Sequence, residues 1–196
     1  YLQSLADSSR LRIPVLNCID AIHGNGLMEG GATIFPTSIG IASSFDTTLC
    51  YNISRIVAKE LRACGYHLTF YPNIEVVRDA RWGRIGETFG EDPLLVSEMG
   101  RAAIRGLQQN NLSNPSSVAA CAKHYIAGGE TVNGLNASPH NVSERELREI
   151  YLPPFKAAIE ENVAQIMIAH HEINGVPCHA NNWLNTQILR KELEYD

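Results

Sequence analysis

Val118-Ala119-Ala120-Cys121-Ala122 is a run of small and apolar residues that ends abruptly on Lys123-His124. A run of this length, preceded by the polar loop composition of residues 109–117 (QNNLSNPSS), has the form of a buried strand. Three other segments share the pattern: residues 13–18, followed by Asp20 and His23; residues 67–71, followed by Arg78 to Arg84; and residues 166–170, which end on His170-His171. Each apolar run gives way to side chains that carry charge or form hydrogen bonds.

Between the runs the period changes. Ile53, Ile56, Val57, Leu61 and Cys64 recur at three- and four-residue spacing. Leu95, Val96, Met99, Ala103 and Leu107 follow Glu91-Asp92-Pro93, where acids and a proline suit the positive end of a helix. Ser143 and Glu146 read as a capping box ahead of Leu147, Ile150 and Tyr151, and Pro153-Pro154 should kink or divide that helix. A last helix starts around Trp183. Strands alternating with helices predict an α/β domain with a parallel sheet. Polar residues at strand ends predict one shared pocket, because a β/α barrel carries its active site at the C-terminal ends of its strands. A complete (β/α)8 barrel takes about 250 residues. The 196 residues here, with no repeat or linker to split them, therefore predict a single partial domain, part of a TIM-type (β/α)8 barrel.

Composition excludes several classes. The 16 Lys+Arg stand against 21 Asp+Glu, a net charge of −5, which invites neither nucleic acid nor an anionic membrane surface. No apolar run reaches the roughly 20 residues of a membrane span. Tyr1-Leu2-Gln3 carries no initiating Met or signal peptide, so any such segment would have been lost or would lie upstream. The five cysteines are scattered without a C-x-x-C pair, which argues against zinc-ribbon and thioredoxin-like sites and predicts buried free thiols. The four N-x-S/T sequons, at Asn52, Asn111, Asn136 and Asn141, say nothing about compartment.

The motifs are more specific. Ile19-Asp20-Ala21-Ile22-His23-Gly24 and Gly31-Ala32-Thr33-Ile34-Phe35-Pro36 resemble the D-A-x-H-G and A-T-x-F-P motifs of family 3 glycoside hydrolases. Arg78-Asp79-Ala80-Arg81-Trp82-Gly83-Arg84 and Glu87-Thr88-Phe89-Gly90-Glu91-Asp92-Pro93 resemble that family's R-D-x-R-W-G-R-x-x-E-x-x-x-E-D-P signature. Lys123-His124, the run from Arg145 to Phe155 and Ile173-Asn174-Gly175-Val176-Pro177 come next, in the family's order.

This resemblance implies a retaining, exo-acting β-glycosidase of β-glucosidase type, acting on a small-molecule carbohydrate without metal or other cofactor. It implies that Asp20 accepts hydrogen bonds from the glycone, that Arg84, Lys123 and His124 contact other hydroxyls of that ring, and that Met167 and His170 line the same pocket. The family more often has Tyr where this chain has His170. Arg81, Glu87, Glu91 and Asp92 are expected to form loop ion pairs and a helix start instead. The resemblance also implies a non-proline cis peptide at or beside Lys123-His124, and it favours a secreted or periplasmic location. Oligomeric state stays open.

The family's nucleophile is an Asp in an S-D-W or S-D-x motif that comes after an L-R-x-E-x-x-[FY] helix. Leu189 to Tyr195 matches that helix, so the nucleophile is expected downstream of Asp196, and the chain by itself is expected to be inactive, with the remaining strands and a second α/β domain absent from it. The stretch after Lys123-His124 differs from the K-H-F-P-G-x-G of the N-acetylglucosaminidase branch. Asp20, where many xylosidases of the family have Glu, leaves room for a C6 hydroxymethyl group. Against this stand a Schiff-base lysine at Lys123 in an aldolase-type barrel, a zinc site at His170, His171, Glu172 and His179, and a non-catalytic sugar-binding or degenerate module. The zinc reading is weakened by the spacing, and because adjacent strand residues point to opposite faces.

Overall fold

The computed structural model describes residues 1–26 and 32–196; Gly31, the first residue of the second quoted motif, lies outside them. Four strands, β1 (Cys18–Ile19), β2 (Leu68–Thr69), β3 (Ala119–Tyr125) and β4 (Gln165–Ile168), pair side by side in chain order, all parallel. They are joined by crossovers that contain helices α3 (Thr47–Ala63), α4 (Pro93–Gln108) and α6 (Leu152–Glu160), of which α4 and α6 pack on β3. This is the predicted α/β class, a partial (β/α)8 TIM-type barrel.

Helices α3 and α4 each open on an aspartate cap. Asp46 accepts from Leu49 N at 3.0 Å to open α3, and Asp92 accepts from Leu95 N at 2.7 Å to open α4, with Pro93 in the first turn. Val57, Ala58 and Leu61 of α3 and Met99, Ala103, Ile104 and Leu107 of α4 are buried on the facing sides. The two helices approach closely at Gly106: a Cβ there would stand 2.5 Å from the Tyr51 carbonyl oxygen and 2.7 Å from Ser54 Cβ. Arg101 and Arg105 of α4 then pair with Glu160 and Glu161 at the end of α6.

The capping box forms as predicted, opening the short helix α5 (Glu144–Glu146). The prolines do not divide the helical stretch: it runs on from α5 through wide π turns over Leu147–Tyr151 into α6, with Pro153 and Pro154 directly after the wide turns. After β4 a hairpin of β5 (Glu172–Ile173) and β6 (Val176–Pro177) turns through Asn174 (φ 54°) and Gly175 (φ 78°). Positive φ at both central residues is what a two-residue hairpin of this twist needs, and Asn-Gly supplies it. The last helix starts at Trp183, as expected, in π-type turns over Trp183–Glu192.

Two further expectations are corrected. The strand placed at 13–18 is realised only as Cys18–Ile19, with Ile13 and Leu16 exposed. The backbone of Val15 is instead bonded in both directions by the Gln3 side chain of α1 (Leu2–Ser8), and Pro14 has no N–H to give a ladder. All five cysteines are free, but Cys18 and Cys64 are exposed while Cys50, Cys121 and Cys178 are buried; burial pushes the Cys121 thiol up to about 12. No helix among the described residues is long and apolar enough to cross a membrane.

Candidate functional site

The polar strand ends do meet. Asp20 directly follows β1, and its Oδ1 lies 2.7 Å from Nζ of Lys123 near the end of β3. Asp20 and Lys123 are 103 residues apart in the chain and are brought together by the sheet alone. The Lys123 side chain is 5% exposed and that of Asp20 45%, so the pair opens to solvent on its carboxylate side.

His124 is the next residue, and in a regular strand it would face away. The pairing of β3 with β4 instead shifts register there: Lys123 opposes Met167 and Tyr125 opposes Ile168, leaving His124 as a bulge. The peptide bonds Lys123-His124 and Tyr125-Ile126 are cis, the first at the expected place. His124 Nδ1 lies 2.9 Å from Glu75 Oε2, and Nε2 lies 3.5 Å from both terminal guanidinium nitrogens of Arg84. Arg84 also donates to Glu87 through two bonds of 2.8 and 2.7 Å. Those bonds hold the Arg84 guanidinium above its usual range. Burial works against the Glu87 carboxylate, but the Arg84 bonds and the nearby Lys123 outweigh it and leave it below the usual range.

His170 presents its ring edge-on to His124, with centroids 6.4 Å apart, and lines a small cavity together with Glu75, Arg84, Gly128 and His171. All six candidates, Asp20, Arg84, Lys123, His124, Met167 and His170, thus lie in or directly beside one cluster, with Met167 placed by its register against Lys123. Other strand-end residues are turned elsewhere. His23 Nδ1 is 3.1 Å from the Phe35 carbonyl, Arg81 pairs with Asp79, Asp92 caps α4, and Glu91 is exposed. Lys123 is tied to the Asp20 carboxylate at 2.7 Å, not set alone in an apolar pocket as a Schiff-base lysine would be. His170 and His171 lie beyond the end of β4 and line the same cavity, and among the described residues no three His, Cys, Asp or Glu side chains are grouped to hold a metal ion. A roomier groove of about 730 Å³, lined by residues such as Ile39, Phe45, Phe89 and Leu94, shares no residue with the cluster.

Glu75 is the residue that sequence reasoning missed. Its signal was a single charge inside the apolar run Ile74-Glu75-Val76-Val77, which burial tolerates only with a partner. The segment after β2 continues alongside β3, with Lys123 N donating to Pro72 O at 3.0 Å and Ile74 N to Lys123 O at 2.9 Å, and this delivers Glu75 to His124.

Behind the cluster, His171 stacks on His140 with ring centroids 4.6 Å apart. Burial, then the neighbouring His140 and His170, push the His171 imidazole down to about 4, and burial lowers His140 as well. An unfolded chain takes up these protons near the usual histidine value of about 6.5, while the folded chain resists. Stability from this pair is therefore fully present above about pH 6.5 and should be lost as pH falls towards about 4. Urea midpoints measured from pH 7.5 to 4 should decline across that window, and less steeply in His171→Gln; equal slopes would contradict the assignment.

The model of the glycosyl hydrolase family 3 N-terminal domain matches residues 1–196. This chain belongs to glycosyl hydrolase family 3. It is 41% identical over 201 aligned residues to a beta-xylosidase of Formosa agariphila, covering 99% of this chain and 28% of that protein. It is 35% identical to the periplasmic beta-glucosidase of Salmonella typhimurium, covering 94% of this chain and 23% of that one. The crystal structure of a beta-glucosidase from Listeria innocua in complex with glucose superposes with a TM-score of 0.91 at 38% identity, over 99% of this chain and 26% of the Listeria chain. The chain thus spans about a quarter of the length of these family 3 relatives.

Proposed function

We propose that this chain supplies the glycone-binding part of a retaining, exo-acting family 3 β-glycosidase that removes a β-linked sugar from the non-reducing end of a glucoside or related oligosaccharide. The observation that carries the reading is the convergence of Asp20, Lys123, His124 and Arg84 at one end of a parallel sheet. A pyranose offers a ring of hydroxyls and little charge, so ionised groups in a partly dry pocket suit its recognition. Asp20, the exposed member of its ion pair, is the natural acceptor for hydroxyls, and Arg84 and Lys123 are donors.

The same geometry supports a nucleophile from outside this chain. Retaining hydrolysis needs two carboxyl groups about 5–5.5 Å apart, one of them free to attack. Each carboxylate of the cluster is engaged: Asp20 by Lys123, Glu75 by His124 and Glu87 by Arg84. A secreted or periplasmic setting is supported by the Salmonella relative. Glucoside is favoured by the short Asp20 and by the glucose-bound Listeria structure, while the Formosa relative makes β-xyloside the second reading.

The test compares this chain with the full-length protein on aryl β-glucoside and aryl β-xyloside, followed by a mechanism-based fluoroglycoside. The full-length protein should turn over and be labelled on an Asp downstream of Asp196, and the 196-residue chain should do neither. Turnover or labelling of the short chain would overturn the assignment. A full-length protein that binds sugar without turnover would mark a sugar-binding module.

A further inference from the structure

We propose that Glu75 is a positioning residue, which sets the tautomer of His124 so that Nε2 faces the sugar pocket as a hydrogen-bond acceptor; this rests on the glycosidase reading of the cluster. Glu75 is 3% exposed, and its only side-chain hydrogen bond among the described residues is to His124. The surroundings are shaped for it. Asn73 Oδ1 accepts from Glu75 N at 3.0 Å and sets the turn that points the chain at β3. Gly128 crosses over the carboxylate so closely that a Cβ there would stand 1.9 Å from Oε1 and 3.1 Å from Cδ. Any larger residue at 128 would displace the acid.

For a neutral imidazole beside an ionised carboxylate, donor and acceptor chemistry leaves one arrangement. An ionised carboxylate has no proton to give, so Nδ1 must carry the proton in the 2.9 Å contact with Oε2. A guanidinium only donates, so Nε2, 3.5 Å from both Arg84 nitrogens, must present its lone pair. His124 therefore shows an acceptor to the cavity beside a donor from Arg84, a matched pair for one sugar hydroxyl, which is itself both donor and acceptor. Without Glu75 only the 3.5 Å Arg84 contacts bias the ring, and the alternative tautomer would set two donors against each other.

A purely structural role, tying the segment after β2 to β3, makes a different forecast. Nitrogen NMR of histidine-labelled full-length enzyme, assigned with His124→Asn, should show His124 protonated at Nδ1, and Glu75→Gln should show a mixture of tautomers. In the same variant kcat/KM should fall about tenfold, with a melting temperature within a few degrees of wild type, and Glu75→Asp should recover part of the loss. A wild-type His124 protonated at Nε2, or a folded Glu75→Gln enzyme with unchanged tautomer or unchanged kcat/KM, would overturn the proposal. Should Glu75→Gln fail to fold, the wild-type tautomer and Gly128→Ala, expected to disturb both tautomer and kcat/KM, still decide it. A wild-type enzyme inactive on all glycosides would count against the glycosidase reading alone, because the tautomer is read without turnover.

Discussion

On the proposed glycosidase reading, Asp20→Asn in the full-length protein is expected to lower kcat/KM on an aryl β-glycoside by about 10- to 100-fold, roughly 1.4 to 2.8 kcal/mol of transition-state stabilisation. The amide keeps the shape of the carboxylate but removes its charge in two places. Lys123, 2.7 Å away and nearly enclosed, loses its counter-ion and with it the restraint on the ammonium position. A developing oxocarbenium-like centre also loses a nearby negative charge, and hydrogen bonds from ring hydroxyls to an anion are about twice as strong as those to a neutral acceptor. Because Asp20 is half exposed, solvent makes up much of the loss in the resting protein, so stability should change by no more than about 1 kcal/mol. Unchanged kinetics would reduce Asp20 to a turn residue. A fall in activity that tracks a comparable fall in melting temperature would show a structural role instead.

Phe155→Ala is expected to cost about 3–5 kcal/mol of stability. Phe155 is 1% exposed and meets the Tyr125 ring edge-on, with centroids 5.2 Å apart and planes at 87°. Tyr125 in turn donates its hydroxyl to the Leu184 carbonyl at 3.0 Å, so a cavity at Phe155 would loosen the joint between α6, the end of β3 and the last helix. For a domain of this size the melting temperature should fall by about 6–20 °C. Leu94→Ala, at a position 71% exposed, serves as the control and should stay within about 0.5 kcal/mol. A fall below about 1 kcal/mol for Phe155→Ala would mean that this joint does not hold the domain together.

The two variants probe features that differ in how far the sequence reveals them. The core around Phe155 follows from local pattern: a capping box at Ser143 and Glu146 and apolar residues at helical spacing. Asp20 and Lys123 were each legible as polar residues ending an apolar run, and the family motifs named both, but neither reading contains the contact between them. Glu75 was hidden because its local context, one acid among Ile74, Val76 and Val77, looks like an ordinary strand with a solvent-facing charge. The strand expected at 13–18 failed for a related reason. Apolar composition makes a segment fit to pair, but a strand also needs a neighbour, and only Cys18–Ile19 finds one in β2.

By itself, then, the sequence determined the α/β class, the parallel sheet, the helix starts at Asp92 and Ser143, and membership of family 3. All of these rest on residues close together in the chain or on motifs read in order. Only the tertiary structure decided which charges meet across the chain: Asp20 with Lys123, Glu75 with His124, and Arg84 with His124. It also showed how Lys123 and His124, which the family motif had placed in one pocket, both reach the cluster although strand alternation would part them: the register shift between β3 and β4 leaves His124 as a bulge. The physical reason is common to all of these. Helix caps and periodicity act over a few residues, whereas partners 40 to 103 residues apart are chosen by sheet register and by the cost of burying a charge without a counter-charge.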